Sequence, residues 1–206
     1  MDALRCPPAD LPIKLISGAS PFCEVFFEDV RVPRHQILNR VDGGWEVARA
    51  LLGHERTMIA NTFGGRQSAA ETKENPMEAA AKKYIGLKDG KLADDAVRQR
   101  MAQNQIDEQS FLLTVQRNSD NVKAGHRPGP ETSIFKAYGT ELNQRRQELM
   151  LSIFGPECLG WEGDGFEKSE LDLTRVWLRS RGNTLEGGTT EIQLNIIAKQ
   201  VLGLPD

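Results

Sequence analysis

Cysteine and long apolar runs are scarce in this sequence. The three cysteines, Cys6, Cys23 and Cys158, lie far apart and never in CxxC spacing, so we expect neither a disulfide framework nor a zinc site. No apolar stretch approaches the roughly 18 residues needed to span a bilayer. The first residues, MDALRCPPADLP, lack the apolar segment of a signal peptide. These absences predict a soluble, cytoplasmic protein without a metal centre.

An excess of positive charge is also absent. The 26 lysines and arginines are outnumbered by 29 acidic residues, and the basic residues are spread along the chain. No basic stripe is therefore available to hold nucleic acid. The GxSxG motif of serine hydrolases does not occur, and the glycine-rich sequence GDGFE lacks the lysine and hydroxyl residue of a phosphate-binding loop. The sequence thus argues against nucleic-acid binding and against both of these sites.

What the sequence does contain is helical periodicity. A chain of 206 residues can bury a core as one domain, or as a domain with an appendage. Apolar residues at helical spacing predict long helices over residues 43–63, 92–118, 131–154 and 169–180, with a short helical piece at 78–85. Strand signals cover residues 12–17 and 23–32. Two strands alone make a marginal sheet. We therefore expect a mainly α fold with a four-helix-type bundle.

The C-terminal stretch, residues 179–204, is the most informative. Gly187 and Gly188 allow a sharp turn and a close approach of the backbone to a ligand. Thr189 or Thr190 can cap the helix that follows. The N–H groups at such a helix start suit a phosphate or another electron-rich ligand, although a capped helix without a ligand has the same pattern. The predicted packed face of this helix consists of Ile192, Ile196, Ile197 and Val201.

Glu55 lies on the apolar face of the first predicted helix. Its neighbours one turn away in either direction, residues 51, 52, 58 and 59, are all apolar. Desolvation raises the pKa of a carboxyl group and makes it a better base toward a weak carbon acid. A structural ion pair with Arg56 or Arg181 is the alternative. The remaining residues of this predicted face are Trp45, Ala48, Leu52, Ile59 and Phe63.

Three stretches, in order along the chain, resemble the acyl-CoA dehydrogenase family of flavoenzymes. LEGGTTEIQLNIIAKQVLGLP at 185–205 resembles its C-terminal signature. CEVFFEDVRVP at 23–33 resembles the end of its middle β-domain, and LLGHERTMIA at 51–60 the first helix of its C-terminal domain. The resemblance implies that residues 1–40 are the remnant of the middle β-domain, a β-barrel. It also implies that residues 41–206 form the C-terminal helical bundle domain.

The resemblance implies α,β-dehydrogenation of an acyl-CoA thioester. A carboxylate removes the α-proton while FAD accepts the β-hydrogen as hydride. In many members the base is a glutamate just before Gly-Thr, but Gly187 occupies that position here and Glu186 stands one residue earlier. Another branch places its glutamate in an LxxER motif, which residues 52–56 match. The resemblance therefore implies Glu55 as the base, with Glu186 as the alternative.

The resemblance also implies binding residues and partners. Arg56 and Gly188 match substrate-binding residues. The resemblance further implies an electron-transfer flavoprotein-like acceptor and a homo-oligomer (dimer or tetramer) or hetero-oligomer.

Strands and an N-terminal helical domain that cover the flavin in the family have no counterpart in the sequence. The alternative is thus a catalytically incompetent oligomerisation module or a partner subunit of a full-length acyl-CoA dehydrogenase. The residues that match FAD contacts are Gly155, Thr189, Thr190 and Glu191.

Overall fold

The computed structural model describes residues 11–27, 29–52, 75–126 and 129–205. Contacts divide the chain into two compact units, residues 1–55 and 56–206. The division expected from the sequence, between residues 40 and 41, stays a prediction.

The N-terminal unit contains one small antiparallel strand pair. Strand β1 (Leu11–Ile13) pairs with β2 (Phe22–Glu24). Both strands are shorter than the predicted strands at 12–17 and 23–32. The chain turns back after β1, where Gly18 has φ 83° and donates its backbone N–H to the carbonyl of Leu15 at 2.9 Å. Because each strand has only the other as a described partner, the ladder ends where that pairing ends.

Residues 44–52 of the same unit are helical and form α1. The predicted apolar face of this helix is not buried along its described part, since Trp45 is 71% exposed and Leu52 is 44% exposed. Within residues 11–27 and 29–52, the short strand pair leaves this face exposed. Residues 53–63 of the predicted helix lie outside the described residues.

The C-terminal unit is helical, as the sequence predicted. The helices begin and end within a few residues of the predicted bounds, except that a hairpin precedes the first long helix of this unit. Asp89 and Gly90, both with positive φ, form the hairpin turn, and the sequence analysis had assigned no strands there. The elements are α2 (Pro76–Tyr84), β3 (Leu87–Lys88), β4 (Lys91–Leu92), α3 (Asp95–Lys123), α4 (Thr132–Phe154), α5 (Lys168–Ser180) and α6 (Thr190–Ile196).

Side-chain caps fix where several helices begin. The carboxylate of Asp94 accepts the backbone N–H of Val97 at 2.9 Å, which starts α3 after the hairpin rather than at the predicted Leu92. Glu167 and Glu170 form a capping box at the start of α5. These caps satisfy backbone donors that would otherwise lack partners.

Helix α4 lies at the centre of this unit and contacts α2, α3, α5 and α6. The ring of Tyr84 stacks on Phe154 with centroids 4.3 Å apart, and its hydroxyl donates to the buried carboxylate of Glu170 at 2.7 Å. Leu142, Leu149 and Ile153 of α4 are buried. The largest core cluster contains Met77, Ala80, Ala81, Val97, Leu149, Ile153, Phe154 and Leu173.

Helices α3 and α4 approach closely at Gly139. A Cβ added there would lie 2.9 Å from Cζ of Phe111, inside contact distance. We expect Gly139→Leu to lower the free energy of unfolding by about 1–3 kcal/mol through overpacking. Urea unfolding measures this loss. Gly165→Leu is the matched control, because an added Cβ meets nothing within 4 Å there; equal losses in both variants would contradict the close packing.

Candidate functional site

The glycine turn precedes α6 and has the backbone that the sequence predicted. Gly187 has φ 66° and Gly188 has φ 92°, both in the left-handed region that favours glycine. Thr189, rather than Thr190, is the N-cap, and its hydroxyl accepts the backbone N–H of Ile192 at 3.4 Å. Both glycines are exposed, so the outer side of the turn is open to solvent.

The inner side of the turn is filled by Gln193. This side chain is only 4% exposed, and its Nε2 donates to the carbonyl of Gly187 at 3.3 Å. A Cβ added to Gly188 would lie 2.6 Å from the same nitrogen. A side chain at position 188 would therefore have to displace the end of the Gln193 side chain, and φ 92° also disfavours any residue other than glycine.

The predicted packed face of the terminal helix is wrong in part. Ile192 is 52% exposed and Val201 is also exposed, whereas Ile196 and Ile197 are half-buried. Regular α-helix ends at Ile196 and a π-helical turn (Ile197–Val201) follows, so the spacing assumed for a single α-helix does not hold along this segment.

Lys136 of α4 is a buried cation close to this turn. It is 6% exposed, and its Nζ has no hydrogen-bond partner among the described residues. Burial lowers the pKa of Lys136 below its ordinary value, and the negative charges of Glu186 and Glu191 offset part of that shift. The hydroxyl of Thr190 is likewise buried without a described partner. Unpaired buried polar groups are costly.

Glu186 is bound in a network of its own. Arg179 Nη2 lies 2.7 Å from Glu186 Oε2, and Asn183 Nδ2 donates to Oε1 at 2.5 Å. The Arg179 guanidinium holds the pKa of the Glu186 carboxyl below its ordinary value, although partial burial opposes this. A carboxylate stabilised in its ionised form is a poor proton acceptor.

Glu191 also favours the ionised form. Its own backbone N–H and the Thr189 hydroxyl lower the pKa of this carboxyl, with a smaller contribution from Lys136. An ionised acid in the first turn of a helix is stabilised by the peptide dipoles. Glu191 therefore places a negative charge beside the turn.

Gly155 lies far from the glycine turn in the same chain. It ends α4 with φ 60°, at the opposite end of the helix from Lys136. At 1.5 Å per residue, the helix between Lys136 and Gly155 is about 28 Å long. The structure thus brings together Gly188, Thr189, Thr190 and Glu191, but leaves Gly155 apart from them.

Arg181, the alternative partner suggested for Glu55, contacts Glu148 and Trp177 and has two donors, Nε and Nη2, without a described partner. Arg181 Nη1 lies 3.1 Å from Glu148 Oε1, and its guanidinium carbon lies 5.2 Å from the ring centre of Trp177. Glu55 and Arg56 themselves lie outside the described residues.

No helix in the described part of the chain is long and apolar enough to cross a membrane.

Comparison with known proteins identifies the family of this chain. The family described as "Acyl-CoA dehydrogenase, C-terminal domain" matches residues 42–202. This chain belongs to the acyl-CoA dehydrogenase family. Acyl-CoA dehydrogenase IpdE1 of Mycolicibacterium smegmatis is 30% identical over 194 residues, which are 94% of this chain and 45% of that protein.

Solved structures agree with the fold of an acyl-CoA dehydrogenase. The Tcur3481-Tcur3483 steroid ACAD has a TM-score of 0.74 at 24% identity, covering 94% of this chain and 48% of that one. The ChsE4-ChsE5 complex from Mycobacterium tuberculosis has a TM-score of 0.68 at 20% identity, covering 96% and 49%. The chain therefore spans less than half the length of these relatives, and the mainly helical fold class is confirmed.

Sequence reasoning missed two buried polar residues beside the glycine turn. Gln193 stands between Ile192 and Leu194 in an apolar helix, and Lys136 stands between Phe135 and Ala137. Immediate neighbours in sequence lie on other faces of a helix, and the positions one turn away are not uniformly apolar, so the sequence carries no clear signal for either residue.

Proposed function

We propose that this chain is part of an FAD-dependent acyl-CoA dehydrogenase that catalyses α,β-dehydrogenation of an acyl-CoA thioester. The observation that carries the proposal is the turn at Gly187 and Gly188. It is open on its outer side and held from within by Gln193. Family membership supports the reaction class. Within the described residues, the glycine turn is the part that suits FAD and the acyl-CoA thioester.

The residues around the turn fit a flavin cofactor. Because the two glycines lack a Cβ, a flat ring or a phosphate can approach the backbone closely. The hydroxyl of Thr190 is buried without a described partner. Thr189, Thr190 and Glu191 would hold FAD, and Gly188 would lie beside the thioester. FAD supplies the hydride acceptor when it is bound.

Glu55 is the proposed base, with Arg56 beside the substrate. The described part of the site supports this choice indirectly, because Glu186 is paired with Arg179 and its pKa is lowered. A base for an α-carbon proton needs a raised rather than a lowered pKa. Glu55, on an apolar helical face, meets that requirement in the sequence.

The proposed assembly is an oligomer. Gly155 and the Lys136 end of α4 are about 28 Å apart along one helix. We therefore expect one FAD molecule to contact Gly155 of one chain and the glycine turn of a second chain. One solved relative is described as a complex of two different proteins, ChsE4 and ChsE5. We therefore extend the proposal to a homo-oligomer or hetero-oligomer, with an electron-transfer flavoprotein-like acceptor in the cytoplasm.

Visible absorbance tests the proposed function. Purified protein mixed with FAD and separated from free cofactor is expected to keep a bound-flavin spectrum. Addition of an acyl-CoA without oxygen is expected to bleach that spectrum, because the substrate reduces the flavin. Failure to retain flavin under any condition would argue against the proposal.

A helical oligomerisation module is the second candidate function. The observation that favours it is the packing of the C-terminal unit, in which α4 contacts α2, α3, α5 and α6. A module of this kind would elute from size-exclusion chromatography as a folded, flavin-free oligomer. It could also co-purify with a full-length acyl-CoA dehydrogenase, and flavin bound only in that mixed complex would favour a partner subunit.

A further inference from the structure

Gln193 contacts three consecutive residues of the glycine turn. Its backbone N–H donates to the carbonyl of Thr189 at 3.0 Å, and its side-chain Nε2 donates to the carbonyl of Gly187 at 3.3 Å. The same nitrogen occupies the space where a side chain at Gly188 would begin, 2.6 Å from an added Cβ. One residue thus fixes the turn from its inner side.

This arrangement needs both the shape and the donor of glutamine. An apolar side chain of similar length would fill the space below Gly188 but would leave the Gly187 carbonyl without its donor. The peptide group between Gly187 and Gly188 could then rotate, since glycine tolerates many backbone conformations. An amide that is almost fully buried loses hydration, so its hydrogen bond to the turn is what compensates the burial.

We propose that Gln193 is a positioning residue for the cofactor site, acting by holding the peptide groups of Gly187 and Gly188 in the orientation that meets the ligand. The inference rests on the proposed function, because it takes FAD to be the ligand of the turn. Gln193 does not itself touch the ligand, since it lies on the buried side. Its contribution to binding is pre-organisation of the turn.

FAD affinity is the first measurement. Gln193→Met keeps the length of the side chain and removes the donor, and we expect it to weaken FAD binding about tenfold, the effect of one net hydrogen bond. Ser180→Ala is the matched control. Ser180 is 2% exposed, and its hydroxyl donates to the carbonyl of Trp177 at 2.6 Å, within its own helix and without a bond to the turn. The control should lose stability while its FAD dissociation constant stays within about twofold.

A double-mutant cycle between positions 188 and 193 is the second measurement, and it needs no cofactor. Gly188→Ala in the wild-type background meets the Gln193 amide and also has an unfavourable φ. In the Gln193→Ala background the steric conflict is gone and only the φ strain remains. We therefore expect Gly188→Ala to lower the urea midpoint less in the Gln193→Ala protein than in the wild type.

The two measurements separate this inference from the proposed function. If wild-type protein binds no FAD, the proposed function fails, and the cycle alone decides whether Gln193 fixes the turn. Additive effects in the cycle would overturn the inference. So would a Gln193→Met protein that binds FAD as tightly as the wild type and the Ser180→Ala control.

Discussion

Glu55→Gln is expected to abolish bleaching of the bound flavin by an acyl-CoA while leaving FAD bound. Glutamine has nearly the same shape as glutamate but cannot accept the α-proton. Loss of a general base typically slows a reaction by about 10²–10⁴-fold. Stopped-flow absorbance under anaerobic conditions measures the bleaching rate, and the flavin spectrum before mixing reports how much cofactor each preparation holds.

Glu186→Gln is the matched control for that experiment. The structure places the Glu186 carboxylate against Arg179, at 2.7 Å, and against Asn183, which keeps its pKa low. A carboxylate in that state contributes little as a base, so bleaching per bound flavin is expected to change by less than about tenfold. The assignment of Glu55 would be wrong if Glu186→Gln stopped bleaching and Glu55→Gln did not.

Lys136→Glu, which reverses the charge of this buried side chain, is expected to lower the free energy of unfolding more than Gly139→Leu or Lys136→Met. A glutamate at position 136 would put a third carboxylate in a dry region already influenced by Glu186 and Glu191. An uncompensated buried charge costs about 3–5 kcal/mol. Lys136→Met is the matched variant, because it removes the charge and keeps an unbranched side chain. We expect Lys136→Met to leave stability unchanged or raise it by about 1 kcal/mol.

The pH dependence of the Lys136→Met protein has a definite sign. Burial lowers the pKa of Lys136 below 10.5 in the folded chain. Between the lowered pKa and 10.5 the unfolded chain binds more protons than the folded chain, so the contribution of Lys136 to stability rises with pH. The cost of burying the charge is fully present at neutral pH and shrinks in that window. The stability advantage of Lys136→Met should therefore be largest near pH 7 and decrease toward pH 10, as measured by urea unfolding. An advantage that grows with pH would contradict the burial of an unpaired charge.

Local features of this fold could be predicted, because short-range chemistry determines them. Gly187 and Gly188 allow the sharp turn that was expected and have left-handed backbone, and Thr189 caps α6 as one of the two threonines expected to do so. The long helices followed from apolar spacing alone. The β3–β4 hairpin was missed, although Asp89 and Gly90 carry a sequence signal for such a turn.

Features that depend on packing between distant segments could not be predicted in the same way. Ile192 and Gln193 are adjacent on α6, and apolar spacing favoured burial of the isoleucine. The structure instead buries Gln193, because a carbonyl in the glycine turn accepts its side-chain amide. Lys136 is buried without such a partner, because neighbouring helices cover α4. Burial of a polar residue depends on what surrounds it in space, which the order of residues does not state.

Hydrogen–deuterium exchange with and without FAD tests most directly whether the glycine turn is the cofactor site. Addition of FAD is expected to slow exchange in a peptide covering residues 185–192, because bound ligand protects the exposed backbone there. The hairpin at residues 87–92 serves as the internal control and should exchange at the same rate in both conditions. Protection confined to other segments, with residues 185–192 unchanged while FAD is bound, would contradict the account.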